Sequence, residues 1–545
     1  MELQSVKSGL DAGEGNDWRR TAMIGAGALI GGLGLIWTAR RLLPRLYLAP
    51  GWPGARPHWS PADKSGVGTA VGSDSLSTSL VWFSLGHGAI NEVYYPRMDH
   101  PCTRYLALMV TDGRRFVSDE RCDAQHRVEY LAEGVPAYRL INTCKQGRYR
   151  IEKTIIAHPH QSAVLQRTRF TPLRGSREDY HLYAILDPHL GLRKGVGSAG
   201  WVGRHKGRMM LFGDRGESAL AMAVSTPWAG ATVGYVGRIS DGRRDVMRHG
   251  RMTRHYQYAP RGNALLTGEV DLTVGGGEFV LALGFGADPG EAGHRALAGI
   301  RDDFDTLVAE YVRDWQAWQE GLTPLEEVER GARDLYRTST MVLRVHEGES
   351  VPGAIVASLS IPWGQAFSDE QKGPGVGGYH MVWPRDLAQV AGGLLAAGAR
   401  DEARRALGFL RGSQEEDGHW PQNLWTRGAA FWSGIQLGET AMPLLLADLL
   451  RREGALDDAQ LAGYWPMVRR AARYILRRGP STQEERWEDE RGFNAYTLGT
   501  LIAALLVAAE MAESQGESRE WPRRSVGHPC LPGRRPARGD CAVVP

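Results

Sequence analysis

A chain of 545 residues, 42% hydrophobic and 23% charged, is a folded protein too long for one ordinary core, so two or more domains are expected. A net charge of +3 gives no electrostatic case for nucleic acid or an acidic partner. The five cysteines (Cys102, Cys122, Cys144, Cys530 and Cys541) are odd in number and form no CxxC or zinc-type pattern, which argues against both a metal site and a disulfide framework.

In chain order, residues 1–48 stand apart. "TAMIGAGALIGGLGLIWTA", Thr21 to Ala39, lies between Arg19-Arg20 and Arg40-Arg41. It falls slightly short of the ~20 apolar residues of a spanning helix and exceeds a signal h-region. A membrane association through residues 21–39 is the first expectation, making the chain membrane-anchored or exported. An uncleaved or unusual signal peptide and a start assigned too far upstream are the alternatives, and the last would leave the chain cytoplasmic. A Pro- and Gly-rich linker follows, "LLPRLYLAPGWPGARPHW".

From about Lys64 to Asp288 the apolar period is that of strands. In "GEVDLTVGGGEFVLALGFGA", Val270, Leu272 and Val274 alternate with polar residues, Gly275–Gly277 make a turn, and Phe279, Leu281, Leu283 and Phe285 alternate again. This predicts an antiparallel hairpin with one buried face. "YRIEKTIIA" and "DYHLYAILDPHLGL" read as further strands, and a large antiparallel β-sandwich is expected.

After about Asp302 the period becomes helical. Leu387, Val390, Ala391, Leu394 and Leu395 form one apolar face; Tyr464, Met467, Val468, Ala471, Ala472 and Ile475 form a second; Leu498, Leu501, Ile502, Leu505 and Leu506 form a third. Between the helices lie loops dense in Trp, Gly and charge, a length and content expected of functional loops. The chain holds 17 Trp against 11 Phe, and Trp serves both as a platform for sugars and as core. One loop, "QEERWEDERGF", sets Glu484, Glu485, Glu488, Asp489 and Glu490 around Trp487. Such a run is either a solvated charged surface or a carboxyl held beside an aromatic wall.

"SLGHGAINEVYYPRMD", "VPGAIVASLSIPWG", "GGYHMVWPRDL", "DGHWPQNLW" and "ERWEDERGF" together resemble bacterial glucoamylases and glucodextranases, the inverting glucosidases of glycoside hydrolase family 15. The resemblance implies a β-sandwich domain over 49–301, a helical linker over 302–329, and an (α/α)6 barrel catalytic domain over 330–520, only about half of which is present. The basic segment 521–545 has lost the helical period and looks frameshifted, a natural basic tail being the alternative.

The resemblance also implies roles. Glycosidic hydrolysis needs a protonated carboxylic acid at the leaving oxygen and a second carboxylate to activate water. The Glu after the Trp of the last motif is the family's general acid, here Glu488. Trp487 would supply the apolar wall, and Asp489 with Glu490 the negative charge, that raise a carboxyl pKa. Asp489, where relatives often carry Glu, is expected to bind substrate. Trp383, Arg385 and Asp386 would hold the terminal glucose, a guanidinium fork beside a carboxylate; the alternative for the last two is a helix-start ion pair after Pro384. Tyr379 matches a tyrosine near the hydrolytic water. Trp420, Gln422, Asn423 and Trp425 would shape the sugar subsite, although any single Trp here also suits the core. Glu439 is a weaker candidate, because Gly438 stands where relatives often have Asp. His87 and Asn91 are expected to be structural. The general base is expected to be absent, so the chain should be inactive or impaired as a glucosidase. No cofactor is expected, and no oxygen-rich loop with calcium-ligand spacing is present. The expected partner is an α-glucan or oligosaccharide. A non-catalytic glucan-binding protein and an envelope structural protein are the alternatives.

Overall fold

The computed structural model describes residues 47–55, 59–61, 63–71, 79–190, 197–325, 330–361, 378–488 and 490–517. The apolar segment 21–39, the tail 521–545 and Asp489 lie outside the described residues.

Residues 66–286 form two large antiparallel sheets. An eight-stranded sheet runs in the order Gly66–Thr69, Trp82–Gly86, Ala89–Tyr94, Thr103–Thr111, His181–Pro188, Ala264–Val270, Trp228–Tyr235, with Val117–Asp119 paired to Thr103–Thr111. A nine-stranded sheet carries Glu278–Gly286, Ala163–Pro172, Tyr149–Ala157 and Tyr138–Cys144 as consecutive neighbours. Alternation drives the packing. In Tyr149–Ala157, Tyr149, Ile151 and Ile155 are buried while Arg150, Glu152 and Thr154 are partly exposed. Leu106, Leu108, Leu182 and Leu266 of one sheet share a core with Ile151, Leu165 and Leu281 of the other.

The hairpin expected around Gly275–Gly277 does not form. Ala264–Val270 pairs with His181–Pro188 and Trp228–Tyr235 in the first sheet. Glu278–Gly286 pairs with Ala219–Val224 and Ala163–Pro172 in the second. The glycines therefore sit in a connection that crosses between sheets. Alternation reports that a strand has one buried face and says nothing of which strand it pairs with.

Helix α1, Gly242–His249, lies among the strands, and α2, Pro289–Arg301, packs on the second sheet. Helix α3, Phe304–Glu320, starts on an Asp303 cap whose side chain accepts the Thr306 N–H at 2.9 Å. It joins the two halves of the described fold. The Tyr311 hydroxyl and the Trp315 indole N–H both donate to the Thr69 carbonyl, at 2.6 and 3.0 Å. One turn on, the Trp318 indole N–H donates to Glu402 at 3.3 Å.

Six helices follow among the described residues: α4, Arg330–Val345; α5, Pro384–Ala396; α6, Arg400–Gly412; α7, Leu437–Arg452; α8, Asp458–Arg478; and α9, Ala495–Ser514. In α5 the expected face is buried at Leu387, Ala391, Leu394 and Leu395; in α8 it is buried at Met467, Val468, Ala471, Ala472 and Ile475. Helix α9 differs. Thr497, Leu501, Ala504, Ala508 and Met511 face inward, whereas Ile502 and Leu506, expected on the buried face, are 61% and 57% exposed. Most positions of α9 are apolar and they are spread around its axis, so its sequence pattern does not select one face. It is the one described helix long and apolar enough to cross a membrane by length and composition, yet it packs against α7 and α8.

Trp315 is fully buried where α3 meets the sandwich. Trp315→Ala should lower the unfolding free energy by about 3–5 kcal/mol, the range for emptying a buried aromatic position. Urea unfolding followed by circular dichroism measures it; a loss below about 1 kcal/mol would mean that this contact does not hold the halves together.

Candidate active site

Three segments converge where α5 and α7 begin. Trp383 precedes Pro384, which opens α5 with a ring already suited to the first turn. The next two residues, Arg385 and Asp386, are thereby set at the helix start. Gln436 precedes α7, whose first turn carries Glu439. The third segment is the acidic loop before α9. It is closed by reciprocal backbone hydrogen bonds between Thr482 and Gly492, both 3.0 Å, and by Glu485 N–H to the Glu490 carbonyl at 2.8 Å. The Leu437 N–H donates to the Thr482 hydroxyl at 3.1 Å, tying the loop to α7.

Glu488 sits in this loop with φ 68, the left-handed region, and is exposed. A non-glycine residue there carries strain of order 1–3 kcal/mol, a feature that concentrates at functional sites. Its Oε1 accepts the Trp383 indole N–H at 3.1 Å, across 105 positions of sequence. The aromatic group beside Glu488 is thus Trp383. Trp487, expected as its wall, is 69% exposed, with the Arg486 guanidinium 4.6 Å from its ring centre. The backbone explains the difference: Trp487 N–H is held by the Glu485 carboxylate at 2.7 Å, and the turn that follows directs residues 487 and 488 apart from the chain core.

Arg385 is the cation of the site. Its backbone N–H donates to Glu439 Oε2, and its Nη1 lies 2.9 Å from Glu439 Oε1 and donates to Gln436 Oε1 at 2.7 Å. Its Nη2 lies 3.5 Å from Asp386 Oδ2. The adjacent Arg385–Asp386 contact retains the helix-start geometry of the alternative reading, while the guanidinium itself reaches to α7. Glu439 is fully buried, and burial pushes its carboxyl up to about 8, against the Arg385 charge and with help from Asp386 and Glu488. Burial also raises Asp386, opposed by Arg385 and assisted by Glu488. Burial and then the Glu488 charge raise Glu484. Glu439, Asp386 and Glu484 thus lie within reach of the Glu488 charge, and burial with that like charge favours the protonated form of these three.

The other expected residues divide. Tyr379 is 39% exposed, its ring centre 6.0 Å from that of Trp383. Trp425 is buried against Met381 and Trp383, beside the partly buried Phe431 and Trp432. Gln422 is nearly buried; a side chain at Gly434 would meet its Oε1 and the Glu484 carboxylate, so both polar groups border that glycine. Asn423 is buried and accepts the Trp432 N–H at 2.9 Å, a loop-fixing role. Trp420 is core: it is fully buried, and its indole N–H donates to the Leu410 carbonyl at 2.9 Å, so no edge is left for a sugar. His87 and Asn91 lie in the sandwich, His87 in the turn before strand Ala89–Tyr94 and Asn91 within it. Gln436 joins the site without belonging to any of the sequence motifs; its one local signal is a polar residue just before an apolar helix. Among the described residues no group of three or more His, Cys, Asp or Glu is placed to hold a metal ion.

Comparison with known proteins gives a consistent picture. Residues 49–320 match the model of glucodextranase domain N, and residues 330–417 and 413–526 match that of glycosyl hydrolases family 15. A glucoamylase of Clostridium sp. strain G0005 is 36% identical over 461 residues, covering 85% of this chain and 62% of its own. An uncharacterized glycosyl hydrolase of Methanocaldococcus jannaschii is 29% identical over 150 residues, 26% of this chain and 24% of its own. A bacterial glucoamylase crystallised with acarbose superposes with a TM-score of 0.79 at 36% identity, over 87% of this chain and 67% of that one. The present chain thus spans 62% of the length of the Clostridium protein. With both halves of the described fold matched, and with the site residues inside the matched segments, the chain belongs to family 15 of the glycosyl hydrolases.

Proposed function

We propose that the chain is an exo-acting, inverting α-glucosidase of the glucoamylase type, taking α-glucans or their oligosaccharides at non-reducing ends, with Glu488 as the proton donor. The observation that carries this reading is the convergence of Glu488, Trp383, Arg385 and Asp386 on one accessible acidic site. Glu488 delivers its proton to the leaving glycosidic oxygen. The indole N–H of Trp383 fixes the carboxyl's orientation, leaving its second oxygen for the substrate. Asp386, Tyr379 and the guanidinium edge of Arg385 take the hydroxyls of the terminal glucose, a set of charge-assisted bonds that rejects a sugar with a misplaced hydroxyl. Glu439 and Gln436 lie behind Arg385 and hold its fork in place.

An inverting reaction also needs a base carboxylate roughly 6.5–9.5 Å from the acid, with a water between base and sugar. We infer that none of the described carboxylates serves as this base. Asp386 and Glu439 are engaged with Arg385, and Glu484 shares the loop of Glu488. Glu510 pairs with Arg451 and Glu517 with Arg469. Arg451 lies twelve residues beyond Glu439 along α7, about 18 Å from the site at the rise of an α-helix. We therefore infer that α4–α9 are part of an (α/α)6 barrel and supply its acid and sugar clamp.

Three outcomes are expected. The purified full chain should bind acarbose, the compound held by the solved bacterial glucoamylase, yet release glucose from maltotriose about 10²–10⁴-fold more slowly than a glucosidase with both carboxylates. Glu488→Gln should remove the remaining release without weakening acarbose binding, because the amide keeps the shape and has no proton to give; turnover at the parent rate would exclude Glu488 as the acid. Arg385→Ala should weaken acarbose binding by about 1.5–3 kcal/mol in calorimetry, the range for hydrogen bonds to charged groups. Unchanged binding would leave Arg385 a purely structural role.

Glu439 gives a pH test. Its folded-state pKa lies above its value in the unfolded chain, so its contribution to stability is full below about 4.5 and is lost as pH rises toward about 8. In urea unfolding across this range, the parent should lose stability relative to Glu439→Gln up to about pH 8 and run parallel to it above. Parallel curves throughout would mean that Glu439 is ionised in the folded protein.

A further inference from the structure

The segment Ser84–Asp99 belongs to the β-sandwich and takes no part in the chemistry above, yet its last residue reaches the helical half. Asp99 is fully buried. Arg97 Nε donates to its Oδ1 at 2.8 Å and Arg97 Nη2 to its Oδ2 at 3.3 Å. Oδ2 also accepts the backbone N–H of Thr426 at 3.0 Å and the Thr426 hydroxyl at 2.8 Å, across 327 positions of sequence. Burial alone would push this carboxyl up; the charges of Arg97 and His100 and the Thr426 hydroxyl outweigh it and hold the group below the usual carboxylate range.

Thr426 is joined to the site by short steps. Trp425 packs against Met381 and Trp383. Leu424 and Val382 exchange backbone hydrogen bonds of 2.9 and 2.8 Å. Trp383, next to Val382, donates to Glu488. A carboxylate that accepts both donors of Thr426 fixes the end of this loop, and a buried charged acceptor is a rigid anchor for it.

We propose that Asp99 of the β-sandwich is a positioning residue for the sugar site: it anchors Thr426, sets Leu424 and Trp425 against Val382 and Trp383, and through Trp383 orients Glu488. The two halves of the fold thus make one site, the sandwich acting as its outer support. The effect on sugar affinity rests on the glucosidase reading; the effect on the loop does not.

The test compares full-length Asp99→Ala, Asp99→Asn and a control, Asp187→Asn. The control removes the charge from the buried Arg104–Asp187 pair, which is 2.5 Å long and lies inside the sandwich. Amide hydrogen exchange is read in peptides covering 379–388 and 420–432, with melting temperature beside it. Asp99→Ala should speed exchange in both peptides about tenfold or more, the loss expected when a charged hydrogen-bond acceptor is removed. Asp99→Asn, whose carbonyl oxygen still accepts from Thr426, should restore most of the protection. Asp187→Asn should lower the melting temperature and leave both peptides unchanged. Acarbose affinity should fall about tenfold in Asp99→Ala and hold in the control. Equal effects of Asp99→Ala and the control, or unchanged exchange at 379–388 in Asp99→Ala, would overturn the proposal. Faster exchange in a protein whose parent form binds no acarbose would retain the positioning role and reject the glucosidase reading.

Discussion

The candidate site depends on the guanidinium of Arg385. Placing Glu439 fully out of water at the start of α7 is costly, and only a partner at hydrogen-bond distance makes it tolerable. Arg385 is that partner, through both its backbone N–H and its side chain. The pair joins the first turns of α5 and α7 and so fixes the helix ends on which Trp383, Asp386 and Gln436 are carried. The same guanidinium is the cation against which Asp386 is balanced, while the charge on Glu488 acts on Asp386, Glu439 and Glu484 alike. One group thus serves two ends: the contact that holds two helices together also gathers the acidic residues of the candidate site around a cation.

The β-sandwich and the helices are continuous in the same sense. Their buried residues form one core, from Leu106 and Ile151 to Leu394 and Val468. Tyr311 and Trp315 on α3 hold the Thr69 carbonyl from one side of this junction, and Asp99 holds Thr426 from another. Loops that carry site residues need rigid support to keep their geometry, and here much of the support of the loop at Thr426 comes from a different part of the chain. A glycosidase acid works only when its oxygen is placed to within a fraction of an ångström, which gives distant packing a functional consequence.

The strands, the helices and the acidic loop were legible in the sequence because each rests on a local signal: period two in Tyr149–Ala157, apolar spacing in α5 and α8, and a run of carboxylates around a tryptophan. What was not legible depends on partners far along the chain. The alternation on either side of Gly275–Gly277 marks two strands but not that they lie in different sheets. Helix α9 has apolar residues all around its axis with few polar ones between them, so its buried face is chosen by α7 and α8. Trp420 and Trp425 sit five residues apart in one motif; one fills the core and the other packs beside Trp383, and no local feature separates them. Glu439 looked like a marginal site residue because its role is created by Arg385, 54 positions earlier. Trp487 looked like the wall of Glu488 by adjacency alone, whereas the turn gives that place to Trp383.

We propose that a sugar ring lies between the Arg385–Asp386 clamp and Glu488. A crystal structure of the full chain with maltotriose bound tests it most directly. The terminal ring should lie on Arg385 and Asp386, with the first glycosidic oxygen about 2.6–3.2 Å from the Glu488 carboxyl, the reach of a proton donor. Sugar bound on the sheets of the sandwich, or in the cleft with its glycosidic oxygen beyond reach of Glu488, would contradict it.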